Sequence, residues 1–487
     1  MSDHVILAID QGSSSTRCTA FDEGLRTLGT SSRPVATLRP APGMVEHDPA
    51  DLLAGVLDAL AETRAALGGS VAAVAIANQT ETFLLWDRST GKPVTPVVSW
   101  QDQRAADLCA RLATAPGADR VAGITGLALD PTFSAPKLRW LFDADPELER
   151  RAGSGELLFG DVACWLAHRL SGGAGHLTEP SNACRTLLLD LVALDWDAGL
   201  IDLFGVPREV LPEIRPSDGA ALNTSAEVAG FEAPVAAMLG DQQAALYGQG
   251  CTRPRMAALT LGTGAFLWLN VGAAPAQPPQ GVLSTAAWQA GGDGATYALE
   301  AFGANAGNAL AVLRLQGLAP EEGATAALDW SRPHPIVVPA PAGLGTPYWH
   351  GADRITVLGA TSQTSAADLA TAGLVGVAHQ IADVLEAIDA QATADVIRVG
   401  GGLASSDTLV QAVADLSGVT LALSQVREAT ARGAGAMAAA ALGVLDPGAE
   451  PGVSSRVEPQ LDDQGRARER ARWREAVAAH TAWEDGA

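Results

Sequence analysis

Carboxylates, amides, hydroxyls and glycines gather where apolar runs of this chain end. Asp10 closes the run Val5–Asp10 and is followed at once by Gln11-Gly12-Ser13-Ser14-Ser15-Thr16-Arg17. A turn of glycine and hydroxyl residues after a strand lets backbone N–H groups and hydroxyls converge on phosphate oxygens without side-chain obstruction. The same residues also read as a Ser-rich hairpin turn with no ligand. Asp10 reads either as a turn-capping carboxylate or as an anchor for the water shell of Mg2+ on a nucleotide. Two further apolar runs end at glycine clusters, Gly262-Thr263-Gly264 and Gly400-Gly401-Gly402. None of the three fits GxxxxGK[ST] or GxGxxG, which disfavours the P-loop and dinucleotide-binding folds and favours a phosphate site built from two facing hairpins.

Asp241 lies in Gly240-Asp241-Gln242-Gln243, just after an apolar run and at an expected helix start. It reads as an ordinary N-cap or as a general base that takes a proton from a hydroxyl nucleophile, and spacing does not separate the two. Asn78-Gln79-Thr80-Glu81 and Trp100-Gln101-Asp102 each follow an apolar strand. Amides and carboxylates hydrogen-bond hydroxyl groups while an indole covers C–H surface, so together they suit a small polyhydroxylated ligand. Singly, each is also ordinary turn or core chemistry.

The elements that must hold these residues alternate between strand and helix. Val5–Asp10 and Cys18–Asp22 read as a hairpin, Val71–Asn78 and Phe83–Asp87 as strands, and Asp51–Leu67 as a helix capped by Asp48 or Asp51. Met256–Leu261 and Ala265–Asn270 repeat the hairpin plan half a chain later, Val396–Val399 is a strand that meets a glycine cluster, and Gln460–Trp483 is helical in composition. Such alternation with an internal repeat implies an α/β protein of duplicated domains, dividing near residues 240–255.

Composition narrows the function. The chain has 487 residues with 32 Lys+Arg against 55 Asp+Glu, a net charge of −23, and 47% hydrophobic residues. That length favours two or more domains, and the apolar fraction supports sizeable cores. The acidic balance argues against nucleic acid or an anionic membrane as partner, since both attract basic patches. No apolar run is long enough to span a bilayer, Gly433–Val444 being too short, and no secretory signal is visible. Five widely separated cysteines imply reduced packing thiols. The expectation is a soluble, cytoplasmic protein.

Taken together, these segments resemble the FGGY carbohydrate kinases, and within them the glycerol kinase branch. The similarity runs over nearly the full length. It includes IDQGSSSTR (Ile9–Arg17), TGKPVTPVVSWQDQR (Thr90–Arg104), DPTFSAPKLRWL (Asp130–Leu141) and TEPSNACRTLLLD (Thr178–Asp190). It continues through LDWDAGLIDLFGVPREVLPEIRPS (Leu194–Ser217), GDQQAALYGQG (Gly240–Gly250), LGTGAFL (Leu261–Leu267), GLGTPYW (Gly343–Trp349) and GGGLASSD (Gly400–Asp407). The resemblance implies two actin-like (ribonuclease H-like) ATPase domains around a central cleft. Residues 1–246 would bind the polyol, and residues 247–487 would bind ATP and end in a helical tail. It implies ATP and Mg2+ as cofactors and a small polyol or sugar as substrate, and it leaves a homodimer or homotetramer open.

Carried over by position, Asp10 would hold Mg2+ through water, and Ser13, Ser14, Ser15 and Arg17 would face the phosphates. Thr263, Gly307, Gly402 and Ser406 would line the nucleotide site. Thr80, Glu81, Trp100, Thr132, Asp241, Gln242 and Phe266 would surround the substrate, with Asp241 as the base. The chain departs from the branch at four positions. Thr80 stands for an arginine, Thr132 for a tyrosine, and Ala311 and Ser406 for a Gln and an Asn near the adenine. Replacing two large donors by threonines enlarges the pocket, so tetritols, tetruloses and pentuloses compete with glycerol as acceptors. The segment Asn223–Pro234 is shorter than the branch's usual loop, which argues against feedback by a sugar bisphosphate. A non-catalytic nucleotide-binding regulator on the same fold is the alternative from another class.

Overall fold

The computed structural model describes residues 4–67, 70–114, 117–219, 222–292, 294–319, 328–332, 334–351, 354–389 and 394–485. Two large sheets organise them. In the N-terminal lobe, His4–Gln11 pairs antiparallel with Ser15–Phe21, which pairs antiparallel with Thr27–Pro34. On its other side His4–Gln11 pairs parallel with Ser70–Asn78, and that strand with Val235–Gly240. The C-terminal lobe repeats this plan. Met256–Leu261 pairs antiparallel with Ala265–Gly272 and parallel with Val396–Gly400, which in turn pairs parallel with Leu421–Ser424. Both hairpins, the strand at each glycine cluster and the terminal helix (Asp463–Asp485) form as the sequence leads one to expect.

Register explains why chemistry collects at one edge. Asp10 pairs with Ala77 and Gln11 with Asn78, while Gly240 pairs with Asn78 from the far side. Three parallel strands therefore end side by side and deliver Asp10, Asn78–Glu81 and Asp241 to a single rim. The space outside the carboxyl ends of parallel strands is where open α/β sheets bind ligands. In the other lobe Thr260 pairs with Gly400, which sets the Gly262–Gly264 turn beside Gly401. A smaller sheet, ordered Glu46–His47, Val97–Val98, Phe83–Asp87 and Leu157–Asp161, carries the Trp100 loop.

Helix Pro49–Ala65 begins at Asp48, whose carboxylate accepts from the backbone N–H groups of Ala50 and Asp51, so Asp48 and not Asp51 is the cap. Helices Asp241–Gly248 and Ala429–Ala441 cross between the two lobes. They share a core with Ala75 and Leu239 of the first sheet and Met256, Ala258 and Trp268 of the second. The crossing is possible only because both helices present glycine: a Cβ on Gly433 would lie 1.8 Å from the Ala244 carbonyl oxygen, and one on Gly248 2.0 Å from that of Ala429. A division after residue 246 falls inside the first of these helices. All five cysteines are free and buried, and among the described residues no helix is long and apolar enough to cross a membrane.

Gly433→Val forces a branched side chain into backbone. It is expected to destabilise the protein by about 3 kcal/mol or more, read as a lowered midpoint in a urea titration. An unchanged midpoint would show that the two helices part freely.

Candidate active site

Asp241 occupies the first turn of its helix, with Gly240 as the preceding cap residue and no side-chain cap bond. The N-cap reading of this aspartate is therefore corrected: Gly240 is the cap residue, and the Asp241 carboxylate accepts from the N–H of Gln242 at 2.8 Å. Helix Asp241–Gly248 starts where it does because Gly240 admits close neighbours, the Thr80 methyl lying 2.5 Å from where a Cβ would stand. The Asp241 carboxyl is pushed up to about 8, first by enclosure in protein and then by the negative charges of Asp10, Glu81 and Glu300. Asp10 is likewise raised to about 6 by burial, against the pull of Arg17. The Gly12 turn is closed by backbone, Gly12 N–H to Ser15 O at 3.0 Å, and is braced by Gln11 and Gln79, so Asp10 does not serve as its cap.

Arg17 projects from the hairpin and pairs with Glu428 at the start of helix Ala429–Ala441. That ion pair joins the two lobes beside Asp10, and Thr430 adds a hydrogen bond from its hydroxyl to the Asp241 carbonyl at 3.3 Å. Ser13 and Ser15 are half-buried and Ser14 is exposed at the tip of the turn.

The substrate-facing candidates are drawn together by charged side chains that sequence reading passed over. Glu81 has a left-handed backbone (φ 60°), a costly conformation for a non-glycine residue and one that collects at functional sites. One of its carboxylate oxygens accepts from the Thr80 hydroxyl at 2.6 Å, and the other from Arg185 Nε at 2.5 Å. Lys137, fully buried, donates to the carbonyls of Ser99 at 2.9 Å and Thr132 at 2.6 Å. It thereby ties the Trp100 loop to the Thr132 loop. Burial pulls this ammonium down to about 7, opposed by Glu81 and Asp102. The Trp100 N–H donates to the Thr82 hydroxyl at 3.0 Å. Phe266 enters from the other lobe, its ring 4.8 Å from that of Phe302.

On the C-terminal side the glycine segments meet. Gly307 opens helix Gly307–Leu315 and donates its N–H to the Gly262 carbonyl at 3.0 Å, while Ala306 and Asn308 donate to that of Thr263. A Cβ on Gly307 would stand 2.7 Å from Gly262 O, and one on Gly401 2.4 Å from Leu261 O. Thr263 and Gly402 are exposed on the resulting ledge. Ser406 caps helix Asp407–Ser417, so its hydroxyl is engaged with Leu409 N–H, and Ala311 is exposed on helix Gly307–Leu315. The segment Asn223–Pro234 is closed by a bridge between those two residues and holds the short helical turn Ala226–Ala229.

A carboxyl held above its unfolded value of 3.8 binds its proton more tightly in the folded protein. Stability is therefore present at low pH and lost as pH rises through about 8. Asp241→Asn removes this loss. Without ligand, the variant is expected to melt above the parent at pH 8 and with it at pH 4, by calorimetry. A difference independent of pH would contradict the assigned electrostatics.

Comparison with known proteins finds relatives over nearly the whole chain. The family model described as FGGY family of carbohydrate kinases, N-terminal domain, matches residues 5–248, and its C-terminal domain counterpart matches residues 257–442. A glycerol kinase from Citrifermentans bemidjiense is 42% identical over 98% of this chain and 99% of its own. The crystal structure of Plasmodium falciparum glycerol kinase with ADP superposes with a TM-score of 0.92 at 26% identity, covering 98% of each chain. A gluconate kinase from Lactobacillus acidophilus, with a TM-score of 0.87 at 19% identity over 98% of each chain, shares the fold alone.

Proposed function

The chain belongs to the FGGY family of carbohydrate kinases, and from that premise we propose that it moves the γ-phosphoryl group of ATP to a primary hydroxyl of glycerol, with Asp241 as general base. The observation that carries the reading is the placement of Asp241: at a helix start, enclosed in protein, within the field of Asp10, Glu81 and Glu300, and with no cation paired to it among the described residues. A carboxylate so raised is a stronger base than an exposed one, and it accepts the hydroxyl proton as the oxygen attacks phosphorus.

The rest of the site supplies position and charge. Glu81 accepts hydrogen bonds only, so it suits hydroxyl protons. Four carboxylates (Asp10, Glu81, Asp241, Glu300) face Arg17, Arg185 and Lys137, a balance that favours a neutral polyol over a sugar acid. Trp100 and Phe266 cover apolar C–H surface. The Gly12–Ser15 and Gly262–Gly264 turns offer backbone N–H and hydroxyl groups to phosphate oxygens, and Arg17 offers a guanidinium once phosphate competes with Glu428 for it. The glycerol kinase bound to ADP supports ATP as donor.

For Mg2+, the donor set fits a shared ion. Among the described residues no group of three His, Cys, Asp or Glu could hold a metal, whereas Asp10 is a raised carboxylate with no capping role in its turn. Mg2+ is usually held by one or two carboxylates together with phosphate oxygens and water, and when bound it would neutralise charge on the transferring phosphoryl.

A second reading rests on Thr80 and Thr132. Thr80 spends its hydroxyl on Glu81, and the half-exposed Thr132 leaves room where a larger donor would close the pocket, so four- and five-carbon polyols or ketoses are the competing acceptors. ADP release over C3–C6 polyols and ketoses decides between them. Glycerol is expected to give the highest kcat/KM, and a clear preference for a C4 or C5 compound would refute it. Asp241→Asn is expected to lower kcat by about a hundredfold or more, with ATP binding retained. Undiminished turnover would sink the base assignment.

A further inference from the structure

Arg185 is a buried arginine in the short helical turn Cys184–Thr186, and beyond its charge it has no part in the phosphoryl transfer. Its contacts reach three walls of the candidate site. Nε donates to Glu81 at 2.5 Å, Nη1 donates to Glu300 at 2.8 Å, and the guanidinium lies 5.3 Å from the centre of the Phe133 ring, next to Thr132. Glu300 belongs to the other lobe. It sits in strand Ala295–Gly303, paired across the ladder with Trp268 and two residues from Phe302, which pairs with Phe266. Cross-strand partners share a face, so Glu300, Phe302 and Phe266 present to the same side of that sheet.

This edge of the C-terminal sheet is docked firmly on the N-terminal lobe. The Tyr297 hydroxyl donates to Leu191 O at 3.0 Å, Ser284 N–H to Gly126 O at 3.0 Å, and Cys184 Sγ lies 3.1 Å from the Thr285 hydroxyl. Glu300 is therefore a fixed reference point. Glu81, by contrast, stands on a left-handed residue of a strand-end loop, and the neighbouring Thr80 is its other side-chain partner. Without the guanidinium between them, Glu81 and Glu300 would be two buried like charges, and repulsion would swing the carboxylate on the looser backbone.

We infer that Arg185 is a positioning residue for polyol recognition: bridging Glu81 to Glu300, it fixes the hydroxyl-binding carboxylate of one lobe against the sheet of the lobe that carries the nucleotide ledge. The inference rests on the kinase reading above. It also explains the choice of arginine, since only a planar fork can hold two carboxylates on separate nitrogens, whereas an ammonium is a single point charge.

Arg185→Lys keeps the charge and loses the fork. It is expected to raise the polyol KM at least about tenfold while leaving the ATP KM within about twofold. Glu300→Leu removes the reference point and is expected to raise the polyol KM about threefold or more, again with the ATP KM unchanged. Because Glu300 acts through Arg185, the double variant is expected to match the polyol KM of Arg185→Lys to within about 1.5-fold, whereas independent effects would multiply to about threefold or more above it. An unchanged polyol KM in Arg185→Lys, or equal rises for both substrates, would overturn the inference, since either marks a residue that only supports the fold. If Arg185→Lys shows no cooperative melt, Glu300→Leu decides alone by the same split. Wild-type protein that phosphorylates no polyol would overturn the kinase reading and this inference together, whereas active wild type with an indifferent Arg185→Lys overturns the inference only.

Discussion

Like charge crowded at one sheet edge is the constraint on which the site depends. Parallel pairing of three strands ends Asp10, Glu81 and Asp241 on a single rim, and Glu300 reaches the same region from the second lobe. Carboxylates this close do not all ionise freely in a partly enclosed cleft. The protein answers by pairing some and leaving one. Arg185 holds Glu81 and Glu300, Arg17 lies near Asp10, and Asp241 has no cation of its own among the described residues. Asp241 is pushed up to about 8 where Asp10, near Arg17, reaches about 6, and a raised proton affinity is the property a base for an alcohol requires.

Glycine has a matching role on the opposite wall. Gly307 and Gly401 let a helix start and a strand end press against the Gly262 turn, so three separate chain segments form one ledge. Gly248 and Gly433 do the same for the two helices between the lobes, fixing how the ledge and the carboxylate rim face each other. Close backbone approach sets the geometry in both places, and side-chain chemistry is added on top of it.

Much of this was legible in the sequence. Short apolar runs that break at Gly12, Gly262 and Gly400 reveal strands and turns, because glycine interrupts the alternation that strands require. Asp10, Glu81 and Asp241 stand out since each follows such a run. Arg185 and Glu300 do not. Their partnership spans 115 positions and two lobes, and no local period signals it. Lys137 carries no signal of its role in the sequence, and it is buried because two carbonyls of neighbouring loops need its donors. Ser406 and Asp241 show the converse: both suit an N-cap by type, but only Ser406 is one, since the strand before Asp241 ends at Gly240 and puts the aspartate inside the first turn.

The central claim concerns a single ionisation. Protein labelled at the aspartate carboxyl carbons, compared with Asp241→Asn to assign the resonance, reports it directly by NMR across a pH series. Asp241 is expected to titrate near pH 8 in the free protein, well above an ordinary aspartate. A resonance that moved near pH 4 would contradict it, for the crowded carboxylates would then exert no hold on the group assigned to take the proton.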